Sequence, residues 1–250
     1  MIEISEGIYV SDDLPVVYFR PLDAVVMSDI HIGFEEEMAR KGIFLPRVQK
    51  KRFLSVYRKA REIFNSKTLI INGDLKHIYE RLGTQERMEL TEIFTQLKEE
   101  GMEVKVIKGN HDTYISLVTD KFDNVELLEE LTHSGVTFTH GHKEVDLNSA
   151  NTVVIGHEHP RISLRDRIGY ARRMQCFLVV PLSASGKRVV ALPSIGSYQS
   201  GNDISLSHAN FMSPIMRKLA VLERTKPYII VEGQGILEFP ELGVIKDLLA

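Results

Sequence analysis

Short apolar runs alternate with longer polar segments along most of the chain. Eight of these runs are four or five residues long and rich in Val and Ile, which favours buried strands over helices. The predicted strands are 24–28, 68–72, 104–108, 136–139, 152–155, 177–181, 188–192 and 228–231.

Two segments between the early strands repeat apolar residues at helical spacing instead. One apolar face comprises Phe53, Leu54, Tyr57, Ala60 and Phe64, and the other comprises Leu90, Ile93, Phe94 and Leu97. For the second helix, Thr84 is the predicted N-cap and Gly101 the predicted C-cap.

The order of these elements predicts the fold class. The front half follows a β-α-β-α-β order with parallel pairing, and the back half is mostly β. We therefore expect one domain over residues 1–250, an α/β sandwich of two sheets with helices outside. The segment 193–210, rich in Ser, Gly and Asn, is predicted to be a long loop, either a plain surface connection or an active-site lid.

Composition narrows the function classes only modestly. Of the 250 residues, 43% are hydrophobic and 26% charged, as in ordinary globular proteins, and the net charge of −3 disfavours a wholly basic nucleic-acid coat protein. Cys176 is the only cysteine, which excludes an intramolecular disulfide and a thiolate zinc site, and it is predicted to be a buried small hydrophobe. Because neither a leader nor a membrane-length apolar run is apparent, the expected location is the cytoplasm, with no membrane partner.

Five polar patches follow apolar runs in a fixed order. They are Asp29-Ile30-His31, Gly73-Asp74, Gly109-Asn110-His111-Asp112, His140-Gly141-His142 and Gly156-His157-Glu158-His159. Seven of the nine histidines lie inside or beside these patches. Open α/β sheets bind ligands at the carboxyl ends of their strands, so we expect the front-half patches to converge on one edge.

Such a cluster is best explained by a pair of divalent cations. Asp29 and His31 can turn toward one ion, Asp74 suits a bridge, and Asn110 offers a carbonyl oxygen. Imidazole nitrogens come from His140, His157 and His159. This mixture of oxygen and nitrogen fits Mn, Fe, Zn, Co or Ni better than Mg or Ca, and manganese is our first expectation.

His111 follows Asn110 directly and is the predicted catalytic residue. Two metal ions can promote a displacement at phosphorus. In such a reaction His111 is expected to protonate the leaving oxygen of the substrate or to stabilise charge on its phosphoryl oxygens. Asp112 either orients His111 by a hydrogen bond or caps the next helix.

The series D-x-H, G-D, G-N-H-[DE], H and G-H-x-H, complete over residues 29 to 159, resembles the calcineurin-like metallophosphoesterase superfamily. The resemblance implies a four-layer αββα sandwich with two mixed sheets and a two-metal site. It places Asp29, His31, Asp74 and His159 around one metal, and Asp74, Asn110, His140 and His157 around the other. It also implies that His111 is catalytic and that a metal-bridging hydroxide attacks a phosphodiester of a nucleotide or nucleic acid.

Two patches suggest a closer relationship within this superfamily. The opening 28–33 and the patch 73–77 are similar to small prokaryotic phosphoesterases related to SbcD nucleases and ligase-associated phosphoesterases. The UDP-diacylglucosamine pyrophosphohydrolases share a similar opening and remain a rival. Alternatives to a phosphodiesterase are a DNA or RNA nuclease, a phosphomonoesterase and a non-catalytic scaffold; a homodimer is one option for the assembly.

Some of the other charged and histidine residues have both a functional and a structural interpretation, and the rest have only a structural one. The arginines 161, 165, 167, 172 and 173 form either an exposed basic loop or a phosphate-binding rim. Residues 35–37, all Glu, are predicted to be the solvated first turn of a helix. His77 and His142 have either a supporting or substrate role or ordinary hydrogen bonds, Glu158 is expected to point away from the metals, and His133 and His208 are expected to be structural or exposed.

Overall fold

The computed structural model describes residues 1–165, 168–169, 171–184 and 186–249. Within them, sixteen strands form two sheets. The strands are β1 (Ile2–Ser5), β2 (Ile8–Val10), β3 (Val17–Phe19), β4 (Ala24–Met27), β5 (Thr68–Asn72), β6 (Glu103–Ile107), β7 (Val125–Leu128), β8 (Leu131–His133), β9 (Val136–Phe138), β10 (Thr152–Ile155), β11 (Pro160–Arg165), β12 (Ala171–Pro181), β13 (Arg188–Ala191), β14 (Asn202–Asp203), β15 (Lys226–Val231) and β16 (Gly235–Glu238).

The helices are distributed unevenly along the chain. They are α1 (Phe34–Arg40), α2 (Gln49–Phe64), α3 (Thr84–Glu99), α4 (Ser116–Thr119) and α5 (Pro214–Leu219). Short 3₁₀ turns occupy Arg20–Leu22, His208–Asn210, Leu222–Arg224 and Lys246–Leu248.

Both sheets are mixed. The first has the order β1-β2-β3-β4-β5-β6-β7, antiparallel up to β4 and parallel from β4 to β7. In the second, of order β14-β11-β12-β13-β10-β9-β8, β10 is parallel to β9 and β13, and β15 pairs with β12 and β16.

Alternate residues of each central strand enter different layers of the core. In β4, Val25 and Met27 pack with α2 and α3, while Val26 faces the second sheet. In β10, Val154 faces the first sheet, while Val153 and Ile155 pack in the outer cluster that contains α5. Because both faces of each sheet are covered, these strands are apolar throughout. The αββα sandwich of two mixed sheets is confirmed, with α5 and 3₁₀ turns as its thin fourth layer.

All eight predicted strands are present; 68–72 and 152–155 have the predicted bounds, and the other six are shifted at one or both ends. The largest shift is in β12, which starts at Ala171 rather than 177 because its polar first half pairs with β11 in an antiparallel hairpin. The predicted caps of α3 were each one residue too far along. The N-cap is Gly83, whose N–H donates to Glu86 Oε2 (2.7 Å), and the C-cap is Glu100, with Gly101 next in the left-handed region.

None of the helices within the described residues is long and apolar enough to cross a membrane.

Candidate metal centre

The polar patches lie in the loops that leave the carboxyl ends of β4, β5, β6, β9 and β10. Five of their side chains sit on residues with left-handed backbone, with φ of 57° at Asp29, 54° at His31, 50° at Asp74, 63° at His157 and 43° at His159. This region disfavours residues other than glycine, and strained backbone of this kind concentrates at functional sites. These sharp turns direct alternate side chains of one loop toward the same point.

Six of the predicted ligands fall into two groups of three. Asp29, His31 and His159 form one, and Asp74, His140 and His157 form the other; within each group, potential ligand atoms lie within 4.8 Å of one another. The two groups meet at Asp74, whose Oδ2 lies 3.2 Å from His140 Nε2 and 3.8 Å from His31 Nε2.

Several buried polar atoms at this point have no hydrogen-bond partner. They are His31 Nε2, His140 Nε2, His159 Nε2 and Asn110 Oδ1. His159 Nε2 is 2.8 Å from Asp29 Oδ1, yet this contact lacks hydrogen-bond geometry. Buried polar atoms normally have a hydrogen-bond partner. Four such atoms without one, close to two carboxylates, are suited to divalent metal ions that accept both oxygen and nitrogen ligands.

The electrostatics of the cluster keep its carboxylates ionised. Burial opposes the charge on Asp29, but His159 and His140 outweigh it and lower the pKa to about 2. Burial likewise opposes a charged His140, but Asp74 and Asp29 outweigh it and raise its pKa to about 9. For His157, burial followed by His140 lowers the pKa to about 4. Without metal, protonated His140 therefore offsets part of the acidic charge.

The carbonyl of Asn72 and the hydroxyl of Ser28 orient two of these side chains. His140 Nδ1 donates to Asn72 O (3.2 Å), which leaves Nε2 as the ring nitrogen directed toward Asp74. The Ser28 hydroxyl contacts both Asp29 Oδ2 (2.6 Å) and Asn72 O (2.8 Å). Such supporting contacts fix the tautomer and direction of a metal ligand.

His31 is oriented by a chain of two further side chains. Glu37 Oε2 lies 2.9 Å from His77 Nε2, and His77 Nδ1 lies 3.1 Å from His31 Nδ1. The negative charge of Glu37 favours a proton on His77 Nε2, so that in the neutral ring Nδ1 can accept a hydrogen bond from His31 Nδ1. This arrangement leaves His31 Nε2 as a lone pair facing the site. Sequence reasoning left His77 open and treated Glu37 as solvated.

His111 is held by the main chain rather than by Asp112. Its Nδ1 donates to His77 O (2.5 Å), and its N–H donates to Asp74 Oδ1 (2.9 Å), so the free Nε2 can face a substrate. Asp112 instead accepts from the N–H groups of Lys76 (3.0 Å) and Gly109 (2.8 Å). The hypothesis that Asp112 orients His111 by a direct hydrogen bond is wrong; Asp112 joins two site loops. Burial, followed by Asp74, raises its pKa to about 6.

Two motif glycines allow the loops to approach this closely. A Cβ at Gly109 would lie 2.1 Å from Asp74 Oδ1, and one at Gly156 would lie 1.9 Å from Ser28 Oγ. Any side chain at either position would displace a group that sets the site.

Two glutamates near the site are buried and structural. Glu35, predicted to be solvated, is 3% exposed and accepts from the N–H groups of Val48 and Gln49. Glu158 is 1% exposed and points away from the cluster, where it accepts from Ser213 Oγ and the N–H groups of Met212 and Ser213. The prediction that Glu158 faces away is therefore confirmed. The burial of both residues was missed, since their partners are distant in sequence or lie in loops.

The segment 193–210 is not a plain surface connection. Ile195 N–H donates to Ser28 O and Gly196 N–H to Asp29 O, both at 3.0 Å, and this first part is buried. It supports the turn at Asp29; a lid role for the rest stays a prediction.

The remaining predictions have mixed outcomes. Cys176 is fully buried, as predicted. His133 packs edge-on against Phe19, and His208 contacts Ala220 O. The His142 ring lies 5.4 Å from the His140 ring, and Nδ1 of His142 is buried without a hydrogen-bond partner. Of the arginines, Arg161, Arg165, Arg172 and Arg173 lie on the β11–β12 hairpin, while Arg167 lies outside the described residues.

A model of the calcineurin-like phosphoesterase family matches residues 23–166, more than half of the chain. The chain belongs to this family. Like other calcineurin-like phosphoesterases it presents Asp and His groups able to hold metal, and the resemblance drawn from its motifs is confirmed.

A solved structure supports the same fold, and a second is similar over a smaller part of the chain. The nuclease MPE of Pseudomonas putida superposes with a TM-score of 0.62 at 18% identity, covering 90% of this chain and 93% of its own. The E. coli phosphoesterase Yfce gives a TM-score of 0.35 at 16% identity, covering 69% of this chain and 79% of its own. Among curated proteins, none matches the chain.

Proposed function

We propose that this calcineurin-like phosphoesterase is a two-metal phosphodiesterase. The observation that carries the proposal is the meeting of two donor groups at Asp74, with unpartnered nitrogens on both sides. Asp29, His31 and His159 would hold one ion, and Asn110, His140 and His157 the other, with Asp74 shared. Manganese is the first choice, and Fe, Zn, Co or Ni would suit the same donors.

Bound metals supply a nucleophile at neutral pH and neutralise charge on the phosphoryl oxygens. The protein contributes the remaining steps. Asp29 and Asp74 stay ionised, and the Nδ1 contact to Asn72 O keeps His140 in the tautomer that ligation needs.

His111 is the proposed catalytic residue. Its Nδ1 proton is committed to His77 O, so the proton given to the leaving oxygen or to a phosphoryl oxygen must be a second one carried on Nε2, which requires the doubly protonated ring. The backbone bond from His111 to Asp74 and the 5.2 Å separation of the His111 and His31 rings support a position for this nitrogen beside the candidate metal centre. Covalent attachment of the substrate to the enzyme is not required.

Hydrolysis of a chromogenic phosphodiester and of the matching monoester tests the proposal. The assay adds Mn²⁺, then a chelator, and compares the wild type with Asp74→Ala. Diester cleavage that needs both metal and Asp74 is expected. Preference for the monoester would make the protein a phosphatase, and no cleavage of either substrate would favour a scaffold.

A nuclease is the second candidate. The fold is shared with a protein described as a nuclease, and the arginines of the β11–β12 hairpin supply cationic side chains outside the metal centre. Metal-dependent cleavage of oligonucleotides at rates well above those on small diesters would favour it. The cytoplasmic location and a homodimer stay predictions.

A further inference from the structure

A cavity of about 440 Å³ lies between α2, the β11–β12 hairpin and the segment that follows β13. Among the described residues that line it, five are cationic: Arg52 and Lys59 from α2, and Arg161, Arg172 and Arg173 from the hairpin. Two acids, Asp13 and Glu232, also line it, so the local balance is positive although the whole chain is at −3. This concentration of cations is therefore local.

Most of these cations have no acidic partner. Within the described part of the chain, Arg52, Lys59 and Arg172 form no ion pair. Arg161 Nη2 donates to a carbonyl, Gln199 O at 3.3 Å, and Arg161 shares the attraction of Asp203 with Arg173. Arg173 is the exception, since its Nε donates to Asp203 Oδ1 at 2.8 Å. Clustered cations without counter-charges repel one another, and a bound anion would relieve that repulsion.

The cavity adjoins the metal centre through the main chain. Its wall includes Ile195 and Gly196, whose N–H groups donate to Ser28 O and Asp29 O. Arg161 follows the predicted ligand His159 by two residues on the same strand end. A ligand that occupied both places would need at least two phosphates in one molecule.

We propose that this basic cavity is a second phosphate subsite, which binds a non-reacting phosphate of the substrate whose ester bond lies at the metal centre. The inference rests on the proposed phosphodiesterase function and restricts its substrates to molecules with several phosphates. Guanidinium groups suit this role because they form paired hydrogen bonds to phosphate oxygens.

Two double variants on α2 test the subsite against a matched control. Arg52→Gln/Lys59→Gln removes one Arg and one Lys from the cavity, and Lys51→Gln/Arg58→Gln removes the same charges from another face of the same helix. All four side chains belong to exposed residues, so both variants should fold.

The first readout is binding without turnover. Fluorescence anisotropy measures the affinity of a labelled single-stranded 12-nucleotide probe in chelator, over a series of salt concentrations. The cavity variant is expected to bind about tenfold more weakly, with the salt slope reduced by about 1.4 for two lost phosphate contacts. The control variant should change affinity by less than about twofold. Equal losses in the two variants would overturn the subsite.

The second readout is turnover with metal. For the cavity variant, kcat/KM on the oligonucleotide should fall about tenfold, while kcat/KM on a small chromogenic diester stays unchanged. A contrary result would be that inorganic phosphate binds to the wild type but not to the cavity variant, and leaves the affinity of the wild type for the oligonucleotide unchanged. That result would overturn the assignment to the substrate and indicate a separate anion site. If the wild type cleaved no ester while the binding difference persisted, the phosphodiesterase proposal would fail and the phosphate site would stand.

Discussion

The two sheets contribute different chemistry to the candidate metal centre. Loops of the first sheet carry every candidate oxygen ligand, namely Asp29, Asp74 and Asn110, together with His31. Loops of the second sheet carry only imidazoles, from His140, His157 and His159. The acidic charge thus belongs to one sheet, and the other sheet supplies groups that are neutral or, in His140, positively charged.

This division makes the site depend on how the sheets pack. The layer between them, which includes Val26, Ile70, Val154 and Phe177, sets the distance from Asp74 to His140. Metal bound there would link the two sheets. It would also stabilise the folded protein, because a ligand that binds the native state favours that state over the unfolded chain. Variants of residues in the two sheets should therefore differ in their effects.

The largest effect is expected from Asp74→Ala, because Asp74 touches both donor groups. Turnover should fall by about 10³-fold or more, as expected when charge stabilisation by metal is lost, and elemental analysis should find neither ion. His157→Ala in the second sheet should lose one ion and retain the other. Equal metal content in the two variants would contradict the shared role of Asp74.

Next in size is His111→Ala, which removes a proton donor but no ligand. Turnover on a diester with a poor leaving group should fall by about 10² to 10⁴, with bound metal unchanged. His133→Ala, remote on β8, serves as the control. Full activity of His111→Ala would rule out the proton-donor role.

A smaller effect is expected at His77, which contacts His31 and is not one of the predicted ligands. His77→Ala should weaken metal binding by about 10- to 100-fold, the usual cost of losing such a support. Titration calorimetry measures it, and Glu37→Gln should weaken binding in the same direction but less. An unchanged affinity would show that His31 is held by other contacts.

The smallest effect is a pH dependence of metal binding. Metal-free His140 has a pKa near 9, so at neutral pH an ion must displace its proton. Affinity should therefore rise with pH, by roughly tenfold per unit between about pH 6.5 and 8.5, with release of a proton. Calorimetry in two buffers of different ionisation enthalpy detects it; a flat profile would contradict the coupling.

The strands and ligand loops were predictable because their signal is local. Continuous Val and Ile runs in β4, β5 and β10 follow from burial on both faces, and each ligand patch comes directly after its strand. The supports of the site were not predictable in this way. Glu37 reaches His77, and Glu158 reaches Ser213, across 40 and 55 residues.

The basic cavity, too, could be predicted from the sequence only in part. The arginine cluster near residue 172 was visible in the sequence, but Arg52 and Lys59 carried no signal there. Helical spacing places these two on one face of α2, and only the tertiary structure brings that face to the same cavity as the hairpin.

The most direct test is the position and number of bound ions. Anomalous diffraction from crystals soaked in Mn²⁺ should show two sites per chain, one at Asp29, His31 and His159 and one at Asn110, His140 and His157, with Asp74 touching both. A single site, or sites that leave Asp74 uncoordinated, would contradict the account.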